Sequence, residues 1–321
     1  MSAILTVTLN PALDIGASVA RMQAGPKLRL DGALAEPGGG GINVARAAVK
    51  LGGRARAIAA LGGATGQRIA DLLAGSGVDL VVVRVPGETR QNLAVRDRAD
   101  GQQYRLQFPG PDWTAAMAET MLARIVAESA AQGQGQGAVV VLSGSQPPGL
   151  DPGFAQDLAR RIGAGGRLIV DTSGPALARL TRSPQVAGHP HVLRMDQAES
   201  EAAAAHPLST IADSLDFAQA LVARGVADCV VLARGAEGSV LATAQARLHC
   251  APPPVPVESR IGAGDSFTAG FALTLAQGGD WGAALVAGTA AAAAAVMTPG
   301  TELCRGDDAR DLAPRCVLSV A

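Results

Sequence analysis

The residues best suited to chemistry lie in a short glycine-rich segment, Gly262-Ala263-Gly264-Asp265, which precedes an apolar run over residues 267–276. Glycines at a helix start leave backbone N–H groups free, and these groups together with the positive end of the helix dipole bind anions such as phosphate. Asp265 either caps the helix or accepts a proton from a substrate hydroxyl. An anion site beside a base suits phosphoryl transfer to an alcohol. An isolated segment of this kind is more often a glycine turn with a capping Asp, so it needs support from elsewhere in the chain.

A second glycine-rich segment provides that support near the N-terminus. Gly38-Gly39-Gly40-Gly41 stands directly before Ile42-Asn43, and residues 42–51 carry a helical apolar pattern that ends at Gly52-Gly53. Four consecutive glycines cost backbone entropy and rarely serve packing alone. A flexible linker is the alternative, but the helix starts abruptly and the segment lacks the Ser or charge typical of linkers. The pattern favours a loop that lets a ligand approach the backbone.

The elements that must position these two segments alternate along the chain. The predicted strands cover residues 4–9, 57–61, 81–83, 139–142, 168–170, 192–194 and 229–232, and the predicted helices cover residues 42–51, 67–74, 113–130, 152–162 and 214–224, with a turn at residues 62–66. A hairpin at residues 239–250 and an edge strand at 252–257, broken by prolines, follow. Repeated strand, loop and helix units predict an α/β fold with a mainly parallel sheet covered on both faces.

Polar side chains follow the ends of several predicted strands. They are Asp14, Ser143, Asp171, Asp196 and Glu199. Because the carboxyl ends of parallel strands meet at one edge of the sheet, we expect these groups to lie together where open α/β sheets bind ligands.

Two irregular β segments, at about residues 13–35 and 88–108, interrupt the alternation. The second contains two short β-rich runs joined by a turn with Asp100-Gly101. We expect the two segments to pair as a small lid sheet on a single domain that spans residues 1–321. Unpaired strand edges on such a lid would favour association with a second copy.

Composition excludes several classes of function. The net charge is −1 and there is no basic run, so neither nucleic acid nor an anionic membrane is an expected partner. Four cysteines without metal-ligand spacing are expected to be reduced thiols of a cytoplasmic protein. The first residues lack the features of a signal peptide, and the alanine-rich run at 283–297 is too short to span a bilayer. We expect that run to be a buried helix.

Taken together, these segments resemble the PfkB or ribokinase family of sugar kinases over nearly the whole chain. The family's two signatures are similar to the segments that begin at Gly38 and Gly262. Within the family, the chain looks like the phosphosugar branch because of four further segments, at residues 9–14, 89–92, 143–149 and 300–304. The resemblance implies a ribokinase-like three-layer αβα core with a small β-sheet lid, and a homodimer in which the lids of two subunits interlock.

The resemblance also implies site residues, position by position. Asp265 would deprotonate the acceptor hydroxyl while the N–H groups of Gly262, Ala263 and Gly264 stabilise charge on the transferred phosphate. The implied sugar-binding residues are Asp14, Gly39, Gly40, Asn43 and Ser145, and the sugar's own phosphate would meet Lys27, Arg29, Arg90 and Arg105. The implied nucleotide-binding residues are Asp196, Arg234, Gly235, Gly238 and Gly264, and Mg²⁺ would lie near Glu199 and Asp171.

The chain departs from the family pattern at three places. Arg194-Met195-Asp196 stands where the family usually has Lys-Pro-Asn, which adds a negative charge near the nucleotide that Arg194 would offset. Arg260 stands where many relatives carry Thr, and the loop that begins at Ala233 lacks the usual hydroxyl at its start. Asp265 and both glycine segments are intact, so we expect an active enzyme.

The expected reaction is ATP-dependent phosphorylation of fructose 6-phosphate at the 1-hydroxyl, which yields fructose 1,6-bisphosphate. Fructose 1-phosphate and tagatose 6-phosphate are alternative substrates, although fructose-1-phosphate kinases usually have Lys in place of Gly40 and an apolar residue in place of Gln91. A non-catalytic sugar-phosphate sensor is the alternative from another class, and it predicts a damaged base or anion site. A Rossmann dehydrogenase is disfavoured because no strand-linked GxGxxG motif occurs early in the chain.

Overall fold

The structure, a computed structural model, describes residues 3–132, 138–163, 165–182 and 188–320. Its strands are β1 (Ala3–Thr8), β2 (Ala12–Val19), β3 (Asp31–Gly38), β4 (Arg54–Leu61), β5 (Asp79–Arg84), β6 (Arg90–Asp97), β7 (Gln103–Gln107), β8 (Val139–Ser143), β9 (Arg167–Asp171), β10 (Val192–Met195), β11 (Cys229–Ala233), β12 (Ser239–Thr243), β13 (Arg247–Ala251) and β14 (Val317–Val320). Its helices are α1 (Gly40–Lys50), α2 (Gly63–Leu73), α3 (Ala115–Gln132), α4 (Phe154–Ile162), α5 (Gly174–Arg182), α6 (Gln197–Ala204), α7 (Ile211–Ala223), α8 (Ala263–Ala276), α9 (Trp281–Val296) and α10 (Gly306–Leu312).

Ten strands form the central sheet in the order β14-β13-β12-β11-β10-β9-β8-β1-β4-β5. The strands from β11 to β5 in this order are parallel, whereas β12, β13 and β14 are added antiparallel at one end. Parallel order places the carboxyl ends of β1, β8, β9 and β10 side by side. The predicted α/β sheet is therefore confirmed.

Helices cover both faces of this sheet, because successive residues along a strand point to opposite sides. Ile4 and Val139 pack with one buried cluster, which includes residues of α1, α8, α9 and α10. Leu5 and Val140 pack with the other, which includes residues of α3, α4, α5 and α7. This is the predicted three-layer αβα arrangement.

A smaller second sheet has the strand order β3-β2-β6-β7. Strand β2 pairs antiparallel with β3 and parallel with β6, and β7 closes the sheet as a hairpin with β6. The predicted second sheet is confirmed. Its action as a lid and the bounds of a separate lid unit stay predictions. Asp14 lies within β2 of this sheet and not, as predicted, in a loop directly after the first strand.

The alanine-rich helix α9 packs closely against α8, as expected for a buried helix. Small residues allow the approach: a Cβ added at Gly270 would lie 2.7 Å from the Ala287 carbonyl oxygen, and one added at Gly288 would lie 2.9 Å from the Phe267 ring. Within the described ranges, none of the helices combines the length and the apolar character that crossing a membrane requires.

Two predicted elements are wrong. Residues 252–257 form no strand, because the prolines there supply no N–H groups for a ladder; the sheet edge is instead β14, which pairs with β13. The predicted turn at residues 62–66 belongs mostly to α2, which begins at Gly63. Its start is capped from a distance, since the Glu88 carboxylate accepts hydrogen bonds from the N–H groups of Ala64 and Thr65, both at 3.0 Å.

Candidate active site

A polar cleft opens at the carboxyl edge of the central sheet. Its lining consists of Gly40, Ser143, Gly144, Ser145, Asp171, Thr172, Ser173, Arg194, Glu199 and Asp265. The strands β8, β9 and β10 end here, and the helices α1 and α8 begin here. The structure thus brings five sequence-predicted site residues into one cleft, from segments far apart in the chain: Gly40, Ser145, Asp171, Glu199 and Asp265.

The second glycine segment forms the start of α8. Gly262 has a left-handed backbone with φ of 77°, and a Cβ there would lie 2.8 Å from the Leu303 side chain, so glycine is required on both counts. The first bond of the helix runs from the Ser266 N–H to the Gly262 carbonyl at 2.9 Å. The N–H groups of Ala263, Gly264 and Asp265 precede that bond and have no carbonyl partner within the helix. Free N–H groups at a helix start are what the predicted anion site requires, and their contact with a phosphate stays a prediction.

Asp265 lies in the first turn of α8 and lines the cleft. Its Oδ2 accepts a hydrogen bond of 3.0 Å from the Asn43 side-chain amide on α1, so the two glycine-rich segments meet at this carboxylate. Burial, followed by the negative charge of Asp171, raises the pKa of Asp265 to about 7, although Asn43 and Arg194 act in the opposite direction. A carboxyl with this pKa can both take up and release a proton near neutral pH.

Arg194 is the one Lys or Arg among the described residues that line the cleft. Its guanidinium forms an ion pair of 3.2 Å with Asp171, and both side chains are about nine-tenths buried, at 12% and 13% exposure. Burial opposes the arginine's charge, but the surrounding carboxylates, Asp171 first, raise the pKa of the guanidinium. A Cβ added at Gly264 would lie 2.9 Å from one of its terminal nitrogens, so the guanidinium packs against the first turn of α8.

Thr268 joins these groups from inside α8. Its hydroxyl lies 3.2 Å from the Asp171 carboxylate and 3.0 Å from the Gly264 carbonyl. The arrangement fixes Asp171, and through it Arg194, relative to the anion site. From the sequence, Arg194 was recognised only as a departure from the family pattern, and Thr268 was not predicted as a site residue. A cation at the end of a strand was the available signal for Arg194, while nothing in the sequence pointed to Thr268.

The first glycine segment is packed tightly between strand ends. Gly39 has φ of 112°, and a Cβ there would lie 2.6 Å from Thr8. A Cβ at Gly40 would overlap the Ser143 hydroxyl and lie 2.7 Å from the Gly144 nitrogen. These glycines therefore allow α1 to begin against β1 and β8, which places Asn43 opposite Asp265.

A second cavity lies next to the cleft, between the second sheet and the start of α8. It is lined by Asp14, Ile15, Gly16, Asn92, Leu93, Ala94, Arg105, Leu106, Gln107, Ile261 and Thr301. The Asp14 carboxylate accepts a hydrogen bond of 2.7 Å from Asn92. Burial raises the pKa of Asp14, and the Asn92 bond and the Arg90 charge offset part of the rise. Thr301 belongs to the segment 300–304 noted above and Ile261 stands directly before the second glycine segment, but neither was predicted as a site residue.

The four cations predicted to meet a sugar phosphate are spread out. Arg105 is exposed and lines the second cavity. Arg90 is half-buried and donates to the Asn10 carbonyl at 3.1 and 3.3 Å. Lys27 and Arg29 are exposed on the connection between β2 and β3 and are not among the described residues that line either cavity. Ser145 accepts a hydrogen bond of 3.3 Å from Asn10, at the side of the cleft nearest Arg90.

The residues predicted for the nucleotide lie at the far end of the cleft and beyond it. Asp196 and Glu199 form a capping box on α6, in which each side chain accepts a 2.8 Å bond from the other's backbone N–H. An Asp performs this capping as well as the family's Asn. Burial, with the nearby charges of Asp196 and Asp171, raises the pKa of Glu199 to about 7, although the bond from the Asp196 N–H lowers it.

Arg234 is held by hydrogen bonds within the protein. Its buried guanidinium donates to the Leu208 carbonyl and the Ser214 hydroxyl, each at 2.6 Å, and contacts Glu237 at 2.7 Å. Gly235 and Gly238 bound a single 3₁₀ turn after β11, both with positive φ. None of these three residues is among the described residues that line the cleft, so their predicted contact with a nucleotide stays a prediction.

Known proteins match this chain closely. Residues 17–307 match the family described as pfkB family carbohydrate kinase. The ATP-dependent 6-phosphofructokinase isozyme 2 of Escherichia coli (strain K12) is 37% identical over 316 residues, which are 97% of this chain and 98% of that protein. A 1-phosphofructokinase of Xanthomonas campestris pv. campestris is 34% identical over 273 residues, which are 84% of this chain and 83% of that one.

Solved structures agree with the sequence match. The crystal structure of phosphofructokinase-2 from Escherichia coli in complex with potassium has a TM-score of 0.89 and 35% identity, and the likeness covers 98% of this chain and 99% of that one. The ribokinase-like fold implied by the resemblance is therefore confirmed. The chain belongs to the PfkB family of carbohydrate kinases.

Proposed function

We propose that this protein is an ATP-dependent kinase that transfers a phosphoryl group to the 1-hydroxyl of fructose 6-phosphate and forms fructose 1,6-bisphosphate. One observation carries the proposal: Asp265, with its pKa raised to about 7, stands in the first turn of α8 beside free N–H groups and a buried arginine. The 37% identity to a 6-phosphofructokinase isozyme 2 over nearly the full length supports this substrate.

In the proposed reaction, Asp265 accepts the proton of the sugar's 1-hydroxyl as the hydroxyl oxygen bonds to the γ-phosphorus of ATP. The bond between that phosphorus and the bridging oxygen breaks, and ADP leaves with the electron pair. Asp265 then releases its proton to solvent. A pKa of about 7 suits this role, since the carboxylate is ionised in much of the population at neutral pH and is still basic enough to take the proton.

Charge on the transferred group would be stabilised from two sides. The N–H groups at the start of α8 supply dipoles, and the Arg194 guanidinium, which packs on Gly264, supplies a full positive charge. Fixed donors of this kind need little reorganisation during the reaction. Removal of one such donor typically costs about 10² to 10³ in turnover.

Glu199 and Asp171 are the proposed Mg²⁺ residues, and the donor set fits. Mg²⁺ usually takes one or two protein carboxylates, with waters and substrate phosphates as its other ligands. Asp171 is engaged by Arg194, so Glu199 is the freer carboxylate. When bound, the ion would neutralise charge on the nucleotide phosphates.

The sugar would occupy the second cavity and reach into the cleft. Asp14, Asn43 and the backbone at Gly39 and Gly40 are proposed to hold its hydroxyls. Arg105 lines the cavity and Arg90 lies close to Asp14, so these two are the cations best placed for the 6-phosphate. Lys27 and Arg29 are proposed for the same phosphate on the sequence resemblance alone.

The nucleotide would enter the cleft from the side of α6 and β11. Asp196 is exposed at the start of α6 and is proposed to lie near its phosphates. Arg234 is proposed to act indirectly, because its hydrogen bonds tie the Gly235 to Gly238 turn to the start of α7. The backbone of that turn is the proposed contact.

Two further expectations accompany this function. A homodimer through the second sheet is supported by its exposed apolar side chains, Leu34, Leu106 and Phe108, at 63%, 52% and 63% exposure. A cytoplasmic location is supported by four cysteines that are all free thiols.

A second candidate substrate is fructose 1-phosphate, because a 34% identical relative is a 1-phosphofructokinase. In this chain, however, any side chain at Gly40 would overlap Ser143, so the loop has no room for the Lys usual in fructose-1-phosphate kinases. Tagatose 6-phosphate presents the same groups as fructose 6-phosphate except for one hydroxyl's orientation. A sensor without activity is disfavoured, since base, anion site and buried cation are all intact.

The proposed substrate is tested by comparing kcat/KM for fructose 6-phosphate, fructose 1-phosphate, tagatose 6-phosphate and unphosphorylated fructose, with ADP release from Mg-ATP as the signal. We expect kcat/KM to be highest for fructose 6-phosphate. It should be lowest for fructose, which lacks the phosphate group that the proposed cations would bind. A higher kcat/KM for fructose 1-phosphate than for fructose 6-phosphate would support the second candidate function instead. Tight binding of a phosphosugar without turnover would support the sensor.

A further inference from the structure

A series of polar contacts connects the second sheet to the proposed base. Glu36 lies on β3, and its carboxylate accepts a bond of 3.1 Å from Arg46 on α1 as well as one from the Thr301 hydroxyl. The two members of the ion pair are only 19% and 22% exposed. The other terminal nitrogen of Arg46 donates to the Pro37 carbonyl at 3.1 Å. Two contacts, to Glu36 and to Pro37, therefore hold the guanidinium in place, and Thr301 in turn holds Glu36.

Arg46 reaches the base through Asn43. The two residues are three apart on α1 and so share one face of the helix. The Arg46 nitrogen that bonds to Pro37 also lies 3.5 Å from the Asn43 Oδ1. On its other side, the Asn43 NH₂ donates to the Asp265 Oδ2 at 3.0 Å. Asn43 thus stands between a cation and a carboxylate.

The placement fixes which way the amide points. A side-chain amide has an acceptor end and a donor end. A guanidinium has only donors and an ionised carboxylate has only acceptors, so both neighbours demand the same orientation of Asn43. In the reverse orientation, the amide oxygen would face the Asp265 carboxylate and the NH₂ would face Arg46, and both contacts would be repulsive. Without Arg46, only Asp265 would select between the two.

We propose that Arg46 is a positioning residue for the reaction: held by Glu36, it orients the Asn43 amide so that Asp265 is fixed with one oxygen bonded and the other free to take the substrate proton. This inference rests on the proposed function of Asp265. It assigns a role to the ion pair of Arg46 and Glu36 beyond packing. The same ion pair lies beside the second cavity, because Thr301 lines that cavity and Asp14, which also lines it, is the cross-strand partner of Glu36.

A double-mutant cycle on kcat tests the proposal, with Arg46→Met, Asn43→Ala and the double variant. Loss of one hydrogen bond to a charged group corresponds to about 10- to 100-fold, and we expect Arg46→Met to lower kcat by about 10-fold or more. Because Arg46 acts through Asn43, the same change in the Asn43→Ala background should cost less than about twofold. Sugar KM should change much less than kcat.

Two further variants serve as controls. Arg46→Lys retains a donor for Asn43 but cannot bind Glu36 and Pro37 through two separate nitrogens. Its kcat should therefore lie between those of Arg46→Met and the wild type. Arg56→Met removes another arginine held in ion pairs, with Asp79 and Glu128, but at the amino end of β4, and it should leave kcat unchanged. If Arg46→Met is poorly folded in thermal unfolding, the cycle is run with Arg46→Lys.

A measurement that does not depend on enzymatic turnover distinguishes this inference from the proposed function. The Asn43 bond lowers the pKa of Asp265, so a misoriented amide should raise it. The carboxyl carbon of Asp265, followed by ¹³C NMR against pH, should therefore titrate at higher pH in Arg46→Met than in the wild type. Multiplicative losses of kcat in the cycle, or an unchanged titration in the variant, would overturn the proposal. Failure of the wild type to phosphorylate any phosphosugar would overturn the proposed function and leave the titration result to stand for Asn43 alone.

Discussion

At the scale of single residues, the proposed reaction depends on the protonation state of Asp265. Burial and the charge of Asp171 raise its pKa to about 7 in the folded protein, above the usual range of an Asp in an unfolded chain. Only the deprotonated carboxylate can accept the substrate proton. Activity should therefore be lost as the pH falls through this value.

We predict that kcat/KM for fructose 6-phosphate rises with pH through an acid limb at about 7. Glu199 has a pKa in the same range, so the profile is repeated with Glu199→Gln. If Asp265 is the source, this variant keeps the limb at a lower overall rate. A flat profile from about pH 6 to about pH 8 in the wild type would contradict the assignment.

Most residues of the proposed site could be predicted because glycine segments and strand-end carboxylates leave signals in the sequence. Asp265, Asn43, Asp171 and Glu199 belong to this group. Arg46 and Glu36 were missed as site residues because a single charged residue carries no pattern, and Arg194 had only its place at a strand end as a signal. Their roles depend on partners that the fold brings from other segments, such as Asp171 for Arg194.

At the scale of elements, the start of α8 is the critical piece. Its first turn must remain open to a ligand and in contact with Arg194 at the same time. Gly264 meets both needs, since a Cβ there would lie 2.9 to 3.2 Å from three guanidinium atoms. Its lack of a side chain is therefore a requirement of the site and not of the helix.

We predict that Gly264→Ala lowers kcat by about 10-fold or more, because the added methyl displaces Arg194 and crowds the anion site. Stability should not fall in parallel, since Ala is favoured over Gly in a helix by about 0.5 to 1 kcal/mol. Gly165→Ala is the matched control, with open space around its Cβ position and no catalytic neighbour. Full activity in Gly264→Ala, measured with its melting temperature, would contradict the proposed contact.

Element prediction from sequence failed where a partner distant in the chain decides the local structure. Helix α2 begins before its apolar pattern because Glu88 caps it from the loop between β5 and β6. Strand β14 is short and all four of its residues are exposed; it forms because β13 offers a free edge. By contrast, α1 and α8 were placed well, since glycines mark their starts in the sequence itself.

At the scale of the whole molecule, the parallel order of β1, β8, β9 and β10 is what assembles the site. Regular alternation of strands and helices was enough to predict this sheet and its two covered faces. The hairpin of β12 and β13 was predicted as well, but the ten-strand order and the addition of β14 were beyond prediction, because they depend on pairings between distant segments. We propose that phosphoryl transfer takes place at the carboxyl ends of these strands, with Asp265 as the base.

The most direct test of that claim is to measure kcat of Asp265→Asn with fructose 6-phosphate and Mg-ATP, together with the sugar's Kd. Asn cannot take the proton, so kcat should fall by about 10² to 10⁴-fold while the Kd changes by less than about threefold. The raised pKa means that stability is lost as the pH rises from 3.8 to about 7, so above this range the variant should melt no lower than the wild type. Full turnover by a well-folded Asp265→Asn would contradict the account.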